Sequence, residues 1–271
     1  MSAPRDKKCA ILISSCDAYR DAWGPFFELF FRYWPDCPFP VFLISTGKIF
    51  PDARVTTIPI SPDRGWASNM LTALSKYPHP FLLYMQEDYF LKRPVSSLRV
   101  QALIDVMQKE RAACLMLYPA PGPNSRYKNY RDIGAIRPGT PYRVSLQAGI
   151  WNTEVFTRLL KKGERGAEME HDGSARSYDF SEPFLSVSRG VFFPYDKSAV
   201  VDYFSTGITK GRWHGGVRRF FAAQGVSADL SHRPVESSAA ARRHFLKSLP
   251  FLSPLVRFAF RIEYKLKTLF E

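Results

Sequence analysis

Nothing in the sequence narrows the possible folds as much as Phe81-Leu82-Leu83-Tyr84-Met85, an unbroken apolar run preceded by Pro78 and Pro80 and followed at once by Gln86-Glu87-Asp88. A run of strand length that is apolar at every position, without alternation, fits a central strand covered on both faces. A strand of that kind needs helices above and below it, which makes the chain an α/β protein. In open α/β sheets ligands bind beyond the carboxyl ends of the strands, so a strand ending in Glu87 and Asp88 delivers two carboxylates to that crevice. Asp88 is the first candidate for a divalent-metal ligand. A solvated turn after a core strand is the reading that these residues alone leave open beside it.

The flanking chain supplies further strand and helix units. Cys9 to Ser15 is a short apolar run ending in small polar residues, a first strand whose following loop, Ser14 to Tyr19, is able to hydrogen-bond a nucleotide. No G-x-G-x-x-G and no P-loop follows it, which argues against a dinucleotide-binding Rossmann unit and against a P-loop fold. Trp23, Phe26, Phe27, Phe30, Phe31 and Trp34 recur at helical spacing until Pro35, so 19–34 reads as a helix with a largely buried aromatic face. Strands are expected at 39–45 and 54–60, and a helix at 66–76 entered through the turn Ser61-Pro-Asp-Arg-Gly65. Another helix is expected at 96–111 and another strand at 113–118. Residues 119–141, dense in Pro, Gly, Asn, Arg and Tyr, read as a long excursion whose Arg126, Lys128 and Arg131 either meet anionic substrate groups or are simply solvated. A strand over 142–150 and a helix over 151–162, capped by Asn152 or Thr153, lead into an expected loop at 163–177. That loop carries Glu168, Glu170, His171 and Asp172, a concentration of titratable groups suited to proton transfer or metal binding, or else a solvated acidic loop.

Composition bounds the function. With 271 residues, 45% of them hydrophobic, the chain can bury a substantial core. Its four cysteines show no C-x-x-C spacing, which argues against a zinc site or a disulfide scaffold and fits a reducing, cytoplasmic compartment. The apolar run after the basic start is too short for a signal-peptide core, and no stretch is long and apolar enough to span a membrane. The net charge of +13 asks for an anionic partner: nucleic acid, a membrane surface or a phosphorylated substrate. From Arg212 onward basic residues recur and acidic ones are sparse.

Several segments in order carry a family likeness: Ser14-Ser-Cys-Asp17-Ala-Tyr19 with Trp23-x-Pro25-Phe26, Gly65-Trp66-Ala-Ser68, Tyr84-Met-Gln-Glu-Asp88-Tyr-Phe-Leu91, Leu146-Gln-Ala-Gly-Ile-Trp151-Asn152 and Gly173-Ser-Ala-Arg176-Ser177. Over roughly residues 8–235 the chain resembles a bacterial and viral group of nucleotide-sugar glycosyltransferases of the GT-A fold. The resemblance implies a Rossmann-like, mostly parallel sheet flanked by helices, forming one domain over 1–235. It places the nucleotide on Ser14, Ser15, Asp17 and the helix entry at Trp66 and Ser68. It makes Gln86-Glu87-Asp88 the counterpart of a D-x-D-like motif, with Gln86 where the family has its first acid, and puts Asp88 on a manganese or magnesium ion that bridges the donor diphosphate. It makes Glu170 the general base of an inverting transfer, with Glu168 second, in a segment where Ala167 replaces an aromatic. Lys210 and Arg212 fall in a Gly-Lys-Trp-like segment and would bring charge to the diphosphate; a basic entry to a helix at 217–224 is the plainer reading.

Residues 236–271 are expected to form a basic amphipathic appendage. Phe251, Leu255, Phe258, Ile262, Leu266 and Leu269 recur at spacings of three and four with Arg and Lys between them. That pattern reads as an interfacial helix on an anionic membrane, or as one that packs on the domain or on a second subunit. The resulting expectation is a hexosyltransferase-type glycosyltransferase, peripheral on the inner face of the membrane, acting on a lipid-linked saccharide in surface-polysaccharide or lipopolysaccharide assembly. A non-catalytic basic protein that binds nucleic acid is the alternative; the aromatics fall at core spacings and do not alternate with cations, which speaks against it.

Overall fold

The computed structural model describes residues 8–188, 199–204 and 206–236. The expected helix over 236–271 therefore lies outside the described residues, apart from Glu236. The chain divides between residues 205 and 206 into two compact units.

In the first unit, β1 (Cys9–Ser14) leads through a 3₁₀ turn at Asp17–Tyr19 into α1 (Arg20–Tyr33), followed by β2 (Val41–Ser45), β3 (Val55–Pro59), α2 (Trp66–Leu74), β4 (Phe81–Gln86) and β5 (Phe90–Leu91). Then come α3 (Ser97–Glu110), β6 (Cys114–Met116), β7 (Ser125–Arg126), β8 (Ile133–Ala135), β9 (Gly149–Asn152), α4 (Thr153–Leu159), α5 (Gly166–Arg176), β10 (Phe184–Val187) and β11 (Tyr203–Phe204). The second unit holds the two-stranded hairpin β12 (Ile208–Thr209) and β13 (Arg212–Trp213), followed by α6 (Val217–Gln224).

Among the described residues nine strands form one sheet in the order β3-β2-β1-β4-β9-β6-β10-β8-β7. The expected Rossmann-like sheet is present: β3, β2, β1 and β4 run parallel, β6 and β10 run parallel, and only β9 and β8 oppose the rest. Register decides where the chemistry sits. Cys9 lies opposite Phe81 and Ser14 opposite Gln86, so β1 and β4 end side by side and release Ser15 and Glu87 at the same edge. The period of two sends Ala10, Leu12, Leu82 and Tyr84 to one face, where they pack with Met70 and Ala73 of α2 and Phe156 of α4. Ile11, Ile13, Leu83 and Met85 are fully buried on the other, as the uninterrupted apolar run requires.

Local signals fix several ends. Asn152 caps α4 by accepting from the Val155 N–H at 3.1 Å, and Ser96 caps α3 by accepting from Arg99. Three expectations are corrected. Strand pairing begins only at Gly149, and 142–148 lies in no strand. The acidic segment is the helix α5 and not a loop. The long 119–141 excursion contains β7 and β8, which extend the sheet. The first two have one cause: α5 supplies the hydrogen-bond partners that 142–148 would otherwise take from a neighbouring strand.

Candidate active site

The carboxyl edge of β1 and β4 is organised around Tyr84, which is completely buried. The Trp66 indole N–H donates to Ser14 Oγ at 3.0 Å, and Gln86 Nε2 donates to the Tyr84 hydroxyl at 3.2 Å. Burial pushes the Tyr84 phenol up, opposed by its bonds to Ser14 and Gln86, so it stays a neutral strut between the two strand ends. Ser15 Oγ accepts from the Trp23 indole at 2.8 Å, which fixes the next residue of that edge against α1.

Asp17 has a structural task. Its carboxylate accepts the backbone N–H of Thr46 and of Lys48, at 3.0 and 3.1 Å, tying the end of β2 to the end of β1. Asp63 does the same for the entry to α2, accepting from Gly65 N and Asn69 Nδ2, and those bonds hold it below the usual carboxylate range. Gly65 has φ +86°, a left-handed backbone open to glycine at little cost. The Cys16 thiol between them is raised by burial, with Glu87, Asp63 and Asp17 adding to it, so three carboxylates lie within electrostatic reach of one side chain.

Glu87 and Asp88 are only 7% and 5% exposed, so the turn after β4 is not a solvated one. Tyr89 follows, its ring stacked on Tyr203 at 4.4 Å and 9°, its hydroxyl donating to the Leu146 carbonyl at 2.9 Å. Gln147 joins them: its Oε1 accepts from the Tyr203 hydroxyl at 2.6 Å. Burial drives the Tyr89 phenol up, and Tyr203, Asp88 and Glu170 all add to that shift. Asp88 and Glu170, 82 residues apart in sequence, thus both act electrostatically on one buried phenol.

The face of α5 that brings Glu170 there is Gly166, Glu170 and Ser174, one helical turn apart. A Cβ on Gly166 would lie 3.0 Å from Leu146 Cδ1 and 3.9 Å from the Trp66 ring, so this glycine permits the close approach of the helix. Glu170 Oε1 accepts the Leu146 N–H at 2.8 Å and the Ser145 hydroxyl at 3.4 Å, and Ser174 Oγ accepts the Val144 N–H at 3.0 Å. Burial raises the Glu170 carboxyl above the ordinary carboxylate value, partly offset by the bond from Leu146. Glu170 Oε2 makes no hydrogen bond among the described residues.

The remaining sequence candidates have other immediate partners or surroundings. Glu168 pairs with Arg165 and accepts its backbone N–H at 2.8 Å, work that starts the helix. His171 and Asp172 pair with each other on the exposed side of α5. Ser68 faces the chain before α5, its Oγ accepting from Gly163 N at 3.2 Å. Lys210 and Arg212 are exposed residues of the β12–β13 turn in the second unit. Sequence reasoning overlooked Tyr89, Gln147 and Tyr203. The first two lie inside the quoted segments but were given no role there, whereas Tyr203 sits among residues with no pattern.

Among the described residues no group of three or more His, Cys, Asp or Glu side chains is disposed to cage a metal ion. Manganese and magnesium do not need such a cage, because they take one or two carboxylates and complete their shell with substrate phosphates and water. The all-oxygen pair Glu87 and Asp88, at the ligand edge of the sheet, fits that mode.

No protein-family model matches the chain, and no curated protein does. Among solved structures it is similar to Staphylococcus aureus TarS 1–349 in complex with UDP, at 10% identity over 89% of this chain and 70% of that one, TM-score 0.44. The longer S. aureus TarS structure is matched over 42% of its chain at TM-score 0.45 and 10% identity. The 2-C-methyl-D-erythritol 4-phosphate cytidylyltransferase of Thermus thermophilus is matched at 13% identity over 68% of this chain and 90% of that one, TM-score 0.41.

Proposed function

We propose that the protein is a GT-A-type glycosyltransferase that moves a sugar from a nucleotide-diphospho-sugar to a saccharide acceptor with inversion, Glu170 serving as the base. The observation that carries this reading is the state of Glu170. One carboxylate oxygen is fixed by Leu146 N, the other makes no hydrogen bond among the described residues, and burial raises its proton affinity beside the phenol that also feels Asp88. A general base needs that combination of fixed position and tuned basicity. In the transfer, the acceptor hydroxyl oxygen forms a bond to the anomeric carbon, the bond from that carbon to the diphosphate breaks, the electron pair leaves with the diphosphate, and Glu170 Oε2 takes the hydroxyl proton.

The nucleotide lies along Ser14 to Asp17 and the Trp66–Ser68 helix entry in this reading, where Trp66 already holds Ser14 and Gln86 is held by Tyr84, which lowers the ordering cost of binding. Asp88, with Glu87 beside it, would hold the manganese or magnesium ion, which supplies the charge neutralisation that makes a diphosphate a better leaving group. The hexose donor, the lipid-linked acceptor and attachment to an anionic inner membrane surface through 236–271 belong to the same proposal; the first rests on the family resemblance, the other two on the charge and periodicity of the sequence.

Thermal-shift measurements with UDP, GDP, dTDP and CMP, each with and without manganese, test the core of it. A stabilising response to one nucleotide, enlarged by manganese, is expected. No response to any of them, together with a salt-dependent shift of labelled RNA or DNA, would replace the transferase with the nucleic-acid binder.

A further inference from the structure

The first unit has a polar concavity at the β7–β8 edge of the sheet, four and five strands from β4. A cavity of about 740 Å³ opens at the β7–β8 edge, lined by Asn124, Arg126, Lys128, Asn129 and Arg131 over a floor of Ile133 and Gly134. Its volume is in the range of ordinary ligand sites. The floor is tightly built: a Cβ on Gly134 would lie 2.6 Å from both Pro123 Cβ and the Ser125 carbonyl oxygen.

Its charge is uncompensated in a specific way. The neighbouring acids are already engaged, Asp132 with Arg99 and Glu110 with Lys128. Glu110 also accepts from the Tyr127 and Tyr130 hydroxyls at 3.1 and 2.8 Å, so one carboxylate, its side chain 3% exposed, pins three residues of the rim. It holds Lys128 at φ +46°, a left-handed conformation that a side chain of this size seldom adopts and that recurs at ligand clamps. Arg126 and Arg131 flank this pinned stretch and line the cavity, and their guanidinium groups have no hydrogen-bond or ion-pair partner among the described residues. Two guanidinium forks on an ordered rim match carboxylate or phosphate groups.

We infer that this cavity binds a phosphate- or carboxylate-bearing segment of the saccharide acceptor, with Arg126 and Arg131 as its anion-binding residues. The inference rests on the transferase reading for its ligand being an acceptor. β8 and β7 lie four and five strands beyond β4 in the sheet, roughly 19–24 Å at the usual strand spacing. A ligand that engages both places is therefore an oligosaccharide of several units, with the reacting hydroxyl at one end and anionic groups further along.

The test uses the full chain and fluorescein-labelled polygalacturonate, polyphosphate and neutral dextran, read by anisotropy at low and moderate salt. The double variant Arg126→Gln, Arg131→Gln is compared with Arg218→Gln, Arg219→Gln, which removes equal charge from α6. The site predicts binding of at least one polyanion, no binding of dextran, and a loss of about tenfold or more in the Arg126/Arg131 variant alone, since hydrogen bonds to charged groups are the strong class. Arg126→Lys, Arg131→Lys, which keeps the charge and loses the forks, should fall between them. Equal loss in both Gln variants means diffuse attraction to the net charge and overturns the site, as does no polyanion binding by the wild type. Nucleotide thermal shifts run on every variant separate the two claims: polyanion binding that depends on Arg126 and Arg131 without any nucleotide response supports the site and overturns the transferase reading instead.

Discussion

Glu170 and Glu168 are two residues apart and differ in every property that matters to a base. Glu168 is ion-paired to Arg165, which holds its carboxyl below the ordinary range; Glu170 is raised by burial. Glu170→Gln should cut transfer by about 10²-fold or more at unchanged donor affinity, while Glu168→Gln stays near wild type. Steady-state kinetics on both decides it, and the reverse pattern would exchange their roles. The raised carboxyl also has a sign. A carboxyl favoured in its protonated form contributes stability below its unfolded-state value near 4.3, and that contribution is lost as pH rises through the higher folded value. Glu170→Gln, neutral at every pH, should therefore raise Tm at pH 7 and leave it unchanged well below pH 4, and the wild-type activity should fall on the acid side at a pH above the ordinary carboxylate value. For Asp88, the expected effect of Asp88→Asn is loss of the manganese-dependent part of nucleotide stabilisation with Tm in buffer retained; unchanged titrations in a folded variant would remove Asp88 from the metal.

At the scale of the element, α5 performs work usually done by a strand. Its Gly166–Glu170–Ser174 face runs beside 144–146 and answers the backbone N–H groups of Leu146 and Val144, so the catalytic candidate and the packing of the helix share one face. The end of the helix is held as well, since Arg176 makes two 2.7 Å bonds to Glu164 and donates to the Leu159 carbonyl at 2.8 Å. Ser174→Ala would leave the buried Val144 N–H without its acceptor, a loss expected to cost about 1–3 kcal/mol in chemical denaturation. Since Ser174 lies one turn beyond Glu170, the nucleotide-induced thermal shift should persist in that variant. Loss of the shift would mean that α5 position and the nucleotide site are coupled.

At the scale of the molecule, positive charge recurs in separate stretches of the sequence. Arg126 and Arg131 line one cavity at a sheet edge, whereas the last cations, Arg257, Arg261, Lys265 and Lys267, are interleaved with the apolar positions of 251–269. If that tail lies on anionic lipid, each Lys or Arg at the surface contributes about 1 kcal/mol. Replacing Arg257, Arg261, Lys265 and Lys267 by Gln in the full chain should release it from phosphatidylserine vesicles at moderate salt without altering the nucleotide response. Equal co-sedimentation of both proteins would assign the tail to a protein surface.

The sequence by itself determined the elements whose signal is local and strong. The apolar run 81–85 had to be a doubly covered strand, the aromatic period of 19–34 a helix, and Asn152 or Thr153 a cap, of which the structure uses Asn152, because each depends on neighbouring residues alone. It also placed Glu87 and Asp88 at the strand end where an α/β sheet binds ligands. Only the tertiary structure decided what 142–177 becomes. Gly163, Gly166 and Gly173 and the absence of an apolar stripe read locally as a loop, yet Gly166 is there to let a helix approach Leu146, and 142–148 can do without a strand partner because that helix supplies one. The antiparallel insertion of β9 between β4 and β6, and the stacking of Tyr203 on Tyr89, are pairings between distant segments. No residue's own preference encodes them; they follow from which surfaces remain to be covered once the central strands are in place.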